Sequence, residues 1–217
     1  MVLPFTVEQF FAVFEAYDRA VWPAQLVTYG LAAVVVAPLF RRAPGSDRIV
    51  SAILAAFWLS TGVAYHIGFF SRINKAAYGF GVLFAIEGLL LLISGTIRPR
   101  LSYQFRAGLW PLLGVVLIVY AMIVYPLLGL LFGHPAVELP WLGVTPCPTT
   151  IFTFGVFLCA GGARLGIFMI PLLWSVIGGS AAVLLQMPQD YGLIASGIVG
   201  LISLIARPPV SRRVGVQ

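Results

Sequence analysis

Glu87 is the residue in this chain with the sharpest chemical consequence. It stands inside an apolar run of about residues 76–97. Counted from Ala76 it is about eleven residues in, or roughly 16 Å deep, close to the middle of a hydrocarbon core about 30 Å thick. An ionisable group at that depth is costly and marks a functional site by default. One reading is a proton- or cation-binding carboxyl in an aqueous pocket. The other is a neutral carboxyl hydrogen-bonded to a neighbouring helix as structural glue. The second draws on the solitude of Glu87, since a proton relay needs partners.

His66 is the nearest candidate partner by depth. It lies about five residues from the outer end of the preceding run, roughly 7 Å deep, about two helical turns shallower than Glu87. A water chain would join the two more easily than direct contact. The bland alternative is an interfacial histidine bonded to a carbonyl or to water. His134 falls in a later loop, and the four well-spaced N or S ligands of a zinc site are not visible. No metal or cofactor site is expected.

A third group comes from Thr145-Pro146-Cys147-Pro148-Thr149-Thr150, which opens another apolar run. Pro148 suits a first helical turn, with Thr149 or Cys147 at the cap. Such a terminus is either a rigid helix start or a set of exposed amides and hydroxyls that favours anions. Thr150 and Thr153 should reach the depth of His66 and could line one vestibule with it. Gln25, just after Trp22 and Pro23 at the outer interface, is the remaining polar candidate. Cys147 with a histidine is the only conceivable nucleophile–base pair. Cys159 reads as a small packing residue. About 18 Å of helix would separate the two cysteines, too far for a disulfide.

The elements that must hold these residues follow from composition. The chain has 217 residues, 60% hydrophobic and 9% charged, with a mean hydropathy of +1.01. Soluble domains carry about 25% charged residues, so this apolar surface needs lipid around it. Seven apolar runs are legible at about 22–40, 49–70, 76–97, 108–132, 149–163, 167–186 and 191–206; the fifth and seventh are short for a span. Before them, residues 5–19 read as an amphipathic helix. Thr6 and Gln9 have capping-box spacing, Val7, Phe10, Phe14 and Tyr17 share one face, and Glu8, Glu15 and Asp18 keep the other polar. This helix would lie in the interface or dock on the bundle. Its acidic opening does not read as a cleavable signal peptide.

The fold expected is therefore all-α: a polytopic membrane bundle of about seven transmembrane helices. Residues 1–20 form the interfacial helix, 21–207 the transmembrane domain and 208–217 a basic cytoplasmic tail. Seven spans place Arg41, Arg42, Arg48, Arg98, Arg100, Arg106, Arg164, Arg207, Arg212 and Arg213 on one side. Only Arg19, Arg72 and Lys75 fall on the other. This asymmetry puts the C-terminus in the cytoplasm and the N-terminus outside. The net charge of +6 then points to anionic lipid at the cytoplasmic face rather than to nucleic acid. Glu138 and Asp190 fall in outer loops. Small residues at four-residue spacing, Gly192, Ser196 and Gly200 among them, suggest close helix contacts, and Pro126 and Pro171 should bend their helices.

Several motifs together resemble an uncharacterised family of bacterial multi-pass membrane proteins. They are Val21-Trp22-Pro23-Ala24-Gln25, Tyr65-His66, Phe69-Phe70, Ile73-Asn74, Pro171-Leu172-Leu173-Trp174 and, most specifically, the stretch from Pro146 to Gly155. The resemblance covers nearly the whole chain. It implies a bacterial inner-membrane location and no particular activity. Three functions remain in order. The first is a small-solute or ion transporter or permease-like protein, with an outward-facing vestibule near Gln25, His66 and Thr153 and Glu87 at its floor, moving a solute with a proton. The second is a non-catalytic scaffold or accessory subunit that pairs with another membrane protein or with itself. The last is an intramembrane enzyme built on Cys147.

Overall fold

In the computed structural model the described residues are 4–98, 100–161 and 165–206. They fold as α1 (Val7–Val21), α2 (Ala24–Phe40), α3 (Ser46–Arg72), α4 (Ala77–Ile97), β1 (Ser102–Tyr103), α5 (Leu109–Leu131), α6 (Pro146–Leu158), β2 (Ala160–Gly161), α7 (Leu165–Leu184) and α8 (Pro188–Ala206). Five of these helices (α3, α4, α5, α7 and α8) are long and apolar enough to cross a membrane. A sixth span is counted if α1 and α2, bent by 81° at Trp22–Pro23, are taken together.

The structure gives five to six candidate spans where the sequence suggests about seven. The break at Trp22–Pro23 leaves α2 with 17 residues. The fifth run is helical for only 13 residues. The seventh is longer than expected, because a 3₁₀ turn at Pro188–Asp190 carries the last helix back to Pro188. Arg164, Arg207, Arg212, Arg213 and the tail at 208–217 lie outside the described residues.

The loops nevertheless gather at two ends. At one, Arg42 pairs with Asp47 at 2.9 Å and reaches Ser102. There Asp47 also accepts the Tyr103 amide, and β1 runs antiparallel to β2. Arg41, Arg42, Arg48, Arg98, Arg100 and Arg106 belong to this arginine end. At the other end α1 lies across the bundle. Phe14 stacks on Tyr65, Tyr17 meets Phe69 edge-on, and Phe11 stacks on His134. Of the two placements open to α1, docking is the one observed. Its capping box is formed: Thr6 Oγ1 accepts from Gln9 N–H, and Gln9 Oε1 accepts from Thr6 N–H. Asp18 departs from the expected polar face, because the helix turns it inward beside Tyr17.

α6 is the centre of the bundle. Every residue from Pro148 to Leu158 is buried, although half the helix-forming surface of a lipid-facing helix would be exposed. Its cap lies two residues before Cys147, the earlier of the two expected: Thr145, extended, precedes Pro146 at the first helical position. Proline is suited to that place because its missing N–H would have no partner there. α5 packs against it backbone to backbone. A Cβ on Gly155 would stand 2.7 Å from Gly114 O, and one on Gly114 2.6 Å from Gly155 O. Cys159 joins that contact, its sulfur 3.6 Å from Pro111 O. Pro126 does not break α5, because a π-helical stretch, Tyr120–Val124, precedes it. The extra residue in that turn re-registers carbonyls that the proline ring would otherwise crowd.

Gly155→Leu should therefore separate α5 from α6 and cost about 1–3 kcal/mol. Gly79→Ala, on an exposed helix face with nothing near the new Cβ, should be close to neutral. Thermal unfolding in a mild detergent compares the two.

Candidate functional site

The polar groups of the bundle interior collect toward the α1 end. Asp190 closes the turn that opens α8 and is only 4% exposed. The Tyr125 hydroxyl donates to Asp190 Oδ1, and the Tyr120 hydroxyl donates to Gln189 O at 2.7 Å. The π-helical winding between residues 120 and 124 brings both tyrosines to one side of α5, facing this turn. The Cys147 thiol, in the first turn of α6, lies against Asp190 and beside the Trp174 indole. Tyr65 of α3 is within electrostatic reach of Cys147, Asp190 and Asp18. This makes a buried group of one carboxyl, one thiol and several phenols, with no cation paired to it.

His66 sits next to this group but is walled off. Its ring is in edge contact with Phe84 at 4.7 Å, Trp174 at 5.0 Å, Tyr65 at 5.2 Å and Phe80 at 5.8 Å. Neither ring nitrogen has a hydrogen-bond partner among the described residues. Glu87 is the central residue of α4, ten positions from Ala77 (87 − 77) and ten from Ile97 (97 − 87). It is 0% exposed, and neither carboxyl oxygen has a hydrogen-bond partner among the described residues. On the arginine side Tyr103 is within its electrostatic reach and is tied to Ser51 at 2.9 Å. Phe84, one turn before Glu87 on α4, meets His66 edge-on and lies tilted against Trp58 at 4.4 Å.

The threonines of α6 are satisfied inside the helix. Thr149, Thr150 and Thr153 donate to the carbonyls of Thr145, Pro146 and Thr149 at 2.6, 2.8 and 2.8 Å. Thr153 also accepts the Trp58 indole N–H at 3.0 Å, and Thr149 the Gly143 amide at 2.9 Å. Their hydroxyls act as couplers between α6, α3 and the preceding loop. Gln25 is elsewhere again. It donates to Asp18 O at 3.0 Å and to Asp18 Oδ1 at 3.3 Å. The structure thus brings Cys147 to Asp190 and Gln25 to Asp18, places His66 behind Trp174, and leaves Glu87 below the aromatic layer.

The Asp18–Gln25 pair forms the wall of a cavity of about 400 Å³ that also touches Trp22, Tyr29 and Trp141. Burial pushes the Asp18 carboxyl up to about 7, with the Gln25 amide and the nearby Trp141 indole pulling the other way. The Trp141 N–H is itself donated to Ala136 O at 3.0 Å, so Gln25 is the effective partner. Asp18 Oδ2, Gln25 Oε1 and the Tyr29 hydroxyl are buried and have no hydrogen-bond partner among the described residues.

A family model described as a family of unknown function, DUF6064, matches residues 7–213. The chain belongs to the DUF6064 family. No curated protein and no solved structure matches it. The DUF6064 match includes every residue of the buried groups described above.

Asp18, Asp190, Tyr125 and Trp174 were not legible as site residues in sequence. Asp18 reads as part of a polar helix face and Asp190 as a loop charge. Only contacts across 65 positions, between Tyr125 and Asp190, reveal the second as buried. Asp18 also gives a pH test of this fold. Its folded pKa of about 7 lies above the unfolded value, so the folded protein holds the extra proton. Stability must fall as pH rises from about 4 to 7, and the cost is complete above that. Asp18→Asn should raise the unfolding temperature by a few degrees at pH 8 and by almost nothing at pH 4, as followed by melting at both pH values.

Proposed function

We propose that this DUF6064 chain is a multi-pass protein of the bacterial inner membrane that carries a small solute or ion across it, using buried carboxyls to take up and release protons. The observation that supports the reading is the placement of Asp18, Asp190 and Glu87. All three are buried, at successive depths from the α1 end, and none makes an ion pair; the ion pairs among the described residues are Glu15–Arg19 and Arg42–Asp47. A carboxyl held away from water without a cation is expensive. Three such groups exceed what helix gluing requires, and proton or cation binding gives each of them a partner.

The same geometry supports seven crossings. The chain passes between the arginine end and the α1 end with each of α2 to α8. α6 manages this in 13 residues because protein rather than lipid surrounds it, and after the helical C-cap Cys159 the chain continues extended through Ala160 and Gly161. With the arginine end in the cytoplasm, the cavity beside Asp18 faces outside, and the arginines meet anionic lipid. This moves the outward-facing site from above Glu87 to the corner between α1 and α2, with Gln25 as the residue common to both. The scaffold alternative loses part of its motive. Gly178, Gly179 and Gly197 pack against Leu193, Ile194 and Ser175 within the chain, so these small residues are spent on contacts between α7 and α8.

In proteoliposomes holding a pH-sensitive dye, an imposed gradient of the transported solute should move protons. Asp190→Asn and Glu87→Gln should each slow that movement about tenfold or more. Proton movement equal to wild type in both variants would overturn the reading.

A further inference from the structure

We propose that the loop between α2 and α3 is a lipid-headgroup site, in which Arg42 and Arg48 hold the phosphate of one anionic phospholipid. The inference goes beyond the transport reading and needs only that the bundle sits in lipid. An open cavity of about 410 Å³ lies here, lined by Arg42, Ala43, Pro44, Gly45, Asp47 and Arg48. Two guanidiniums thus share the surface with a single carboxylate. That carboxylate is already taken: Asp47 Oδ2 accepts from Arg42 Nη2 at 2.9 Å, and Asp47 Oδ1 from the Tyr103 amide at 2.8 Å. Arg42 commits only Nη2, to Asp47 and to Ser102 Oγ at 3.1 Å, and its side chain is 49% exposed. Its Nε and Nη1 remain for another acceptor. Arg48 is exposed, and its side chain has no hydrogen bond or ion pair among the described residues. Arginine forks match phosphate oxygens in pairs, which makes two of them on one cavity a fit for a phosphate group. α3 opens at the same place, and Gly45, its cap, brings no side-chain oxygen to the first amides. The positive end of the helix dipole therefore adds to the two guanidiniums.

The place of the loop along the chain favours a lipid over a soluble phosphate. α2 ends at Phe40, and α3, long and apolar enough to span, begins at Ser46. Headgroups stand where spans begin. Phe40 and Ile49, on either side of the loop, are 61% and 50% exposed, which leaves apolar surface for an acyl chain next to the charge. The neighbouring loops bring more charge of the same sign. Thr96 Oγ1 donates to Arg48 O at 3.2 Å, so the end of α4, with Arg98 and Arg100, comes beside this loop. The Phe105 amide donates to Leu39 O at 2.7 Å, which brings Arg106 toward Arg41. These four arginines are exposed and in no ion pair among the described residues. They attract anionic lipid to this end, and the pair lining the cavity holds one phosphate there.

The test is native mass spectrometry of the full chain in a mild non-ionic detergent, titrated with phosphatidylglycerol. The first phosphatidylglycerol should bind about tenfold more tightly than the first phosphatidylcholine, which carries its phosphate beside a fixed cation. Arg48→Gln should lower that first affinity about fivefold, the worth of one arginine at a membrane surface. Arg48→Lys, which keeps the charge and loses the fork, should fall between the two. Should Arg48→Gln not fold, Arg48→Lys carries the comparison. Arg98→Gln removes the same charge from the same end but not from the cavity, and should leave the first affinity unchanged. Equal losses in Arg48→Gln and Arg98→Gln would mean a diffuse basic surface and would overturn the proposal, as would equal binding of the two lipids. Inorganic phosphate, added as a soluble competitor, should not displace phosphatidylglycerol; displacement would overturn the choice of a lipid. Asp190→Asn should bind phosphatidylglycerol like wild type, so failure of the transport reading and failure of this one are separate results.

Discussion

The structure depends on a short helix that never meets lipid. α6 is enclosed on all sides, and its backbone touches that of α5 at Gly114 and Gly155. Between helices in a bilayer there is little hydrophobic drive, so close packing and internal hydrogen bonds must hold the contact. α6 supplies both. Its glycine admits α5, its phenylalanines fill the space toward α7 and α8, and its threonines spend their hydroxyls on its own carbonyls and on Trp58. Because α6 starts at Thr145 rather than beyond the bundle, the loop before it is drawn inward. Gly143 and Leu142 accept hydrogen bonds from Ser60 and Thr28. Cys147 is thereby set against Asp190.

That inward loop explains why the acids collect where they do. α1 folds across the same end and turns Asp18 toward the cavity, while the 188–190 turn closes over Tyr120 and Tyr125. Each carboxyl is within a protein wall and lacks a cation. Asp190 has hydroxyl and thiol neighbours, Asp18 an amide, and Glu87 none. The three differ in setting, from a group at the edge of a cavity to one sealed in the middle of α4. In the proposed transport, a proton passing between them requires the aromatic layer of His66, Phe80, Phe84 and Trp174 to open.

Much of the architecture was legible because lipid exposure is a simple constraint. The apolar runs, the capping box at Thr6 and the place of Glu87 midway along its helix all follow from local pattern. Among the described residues, the β1–β2 pairing and the Arg42–Asp47 bridge gather part of the arginine-bearing loops at one end. The functional side chains were harder to read. Periodicity places Asp18 on a polar face, yet packing of Tyr17 on Phe69 rotates it inward. Loop position makes Asp190 look solvated, yet Tyr125 and Cys147, distant in sequence, cover it. The threonines of α6 looked like vestibule lining because a hydroxyl's partner cannot be read from spacing alone. Here each is taken up by a carbonyl one turn back.

The proposed transport requires the aromatic layer to open, so that water from the α1 side reaches the carboxyl in the middle of α4 at least transiently. A single cysteine at position 87, in a chain carrying Cys147→Ser and Cys159→Ala, measures this directly when a small membrane-impermeant thiol reagent is applied from outside. The account predicts that Glu87→Cys is labelled in folded, inserted protein. Absence of labelling, in a preparation where a cysteine placed at the exposed Trp22 reacts fully, would contradict it and leave Glu87 as a packing residue.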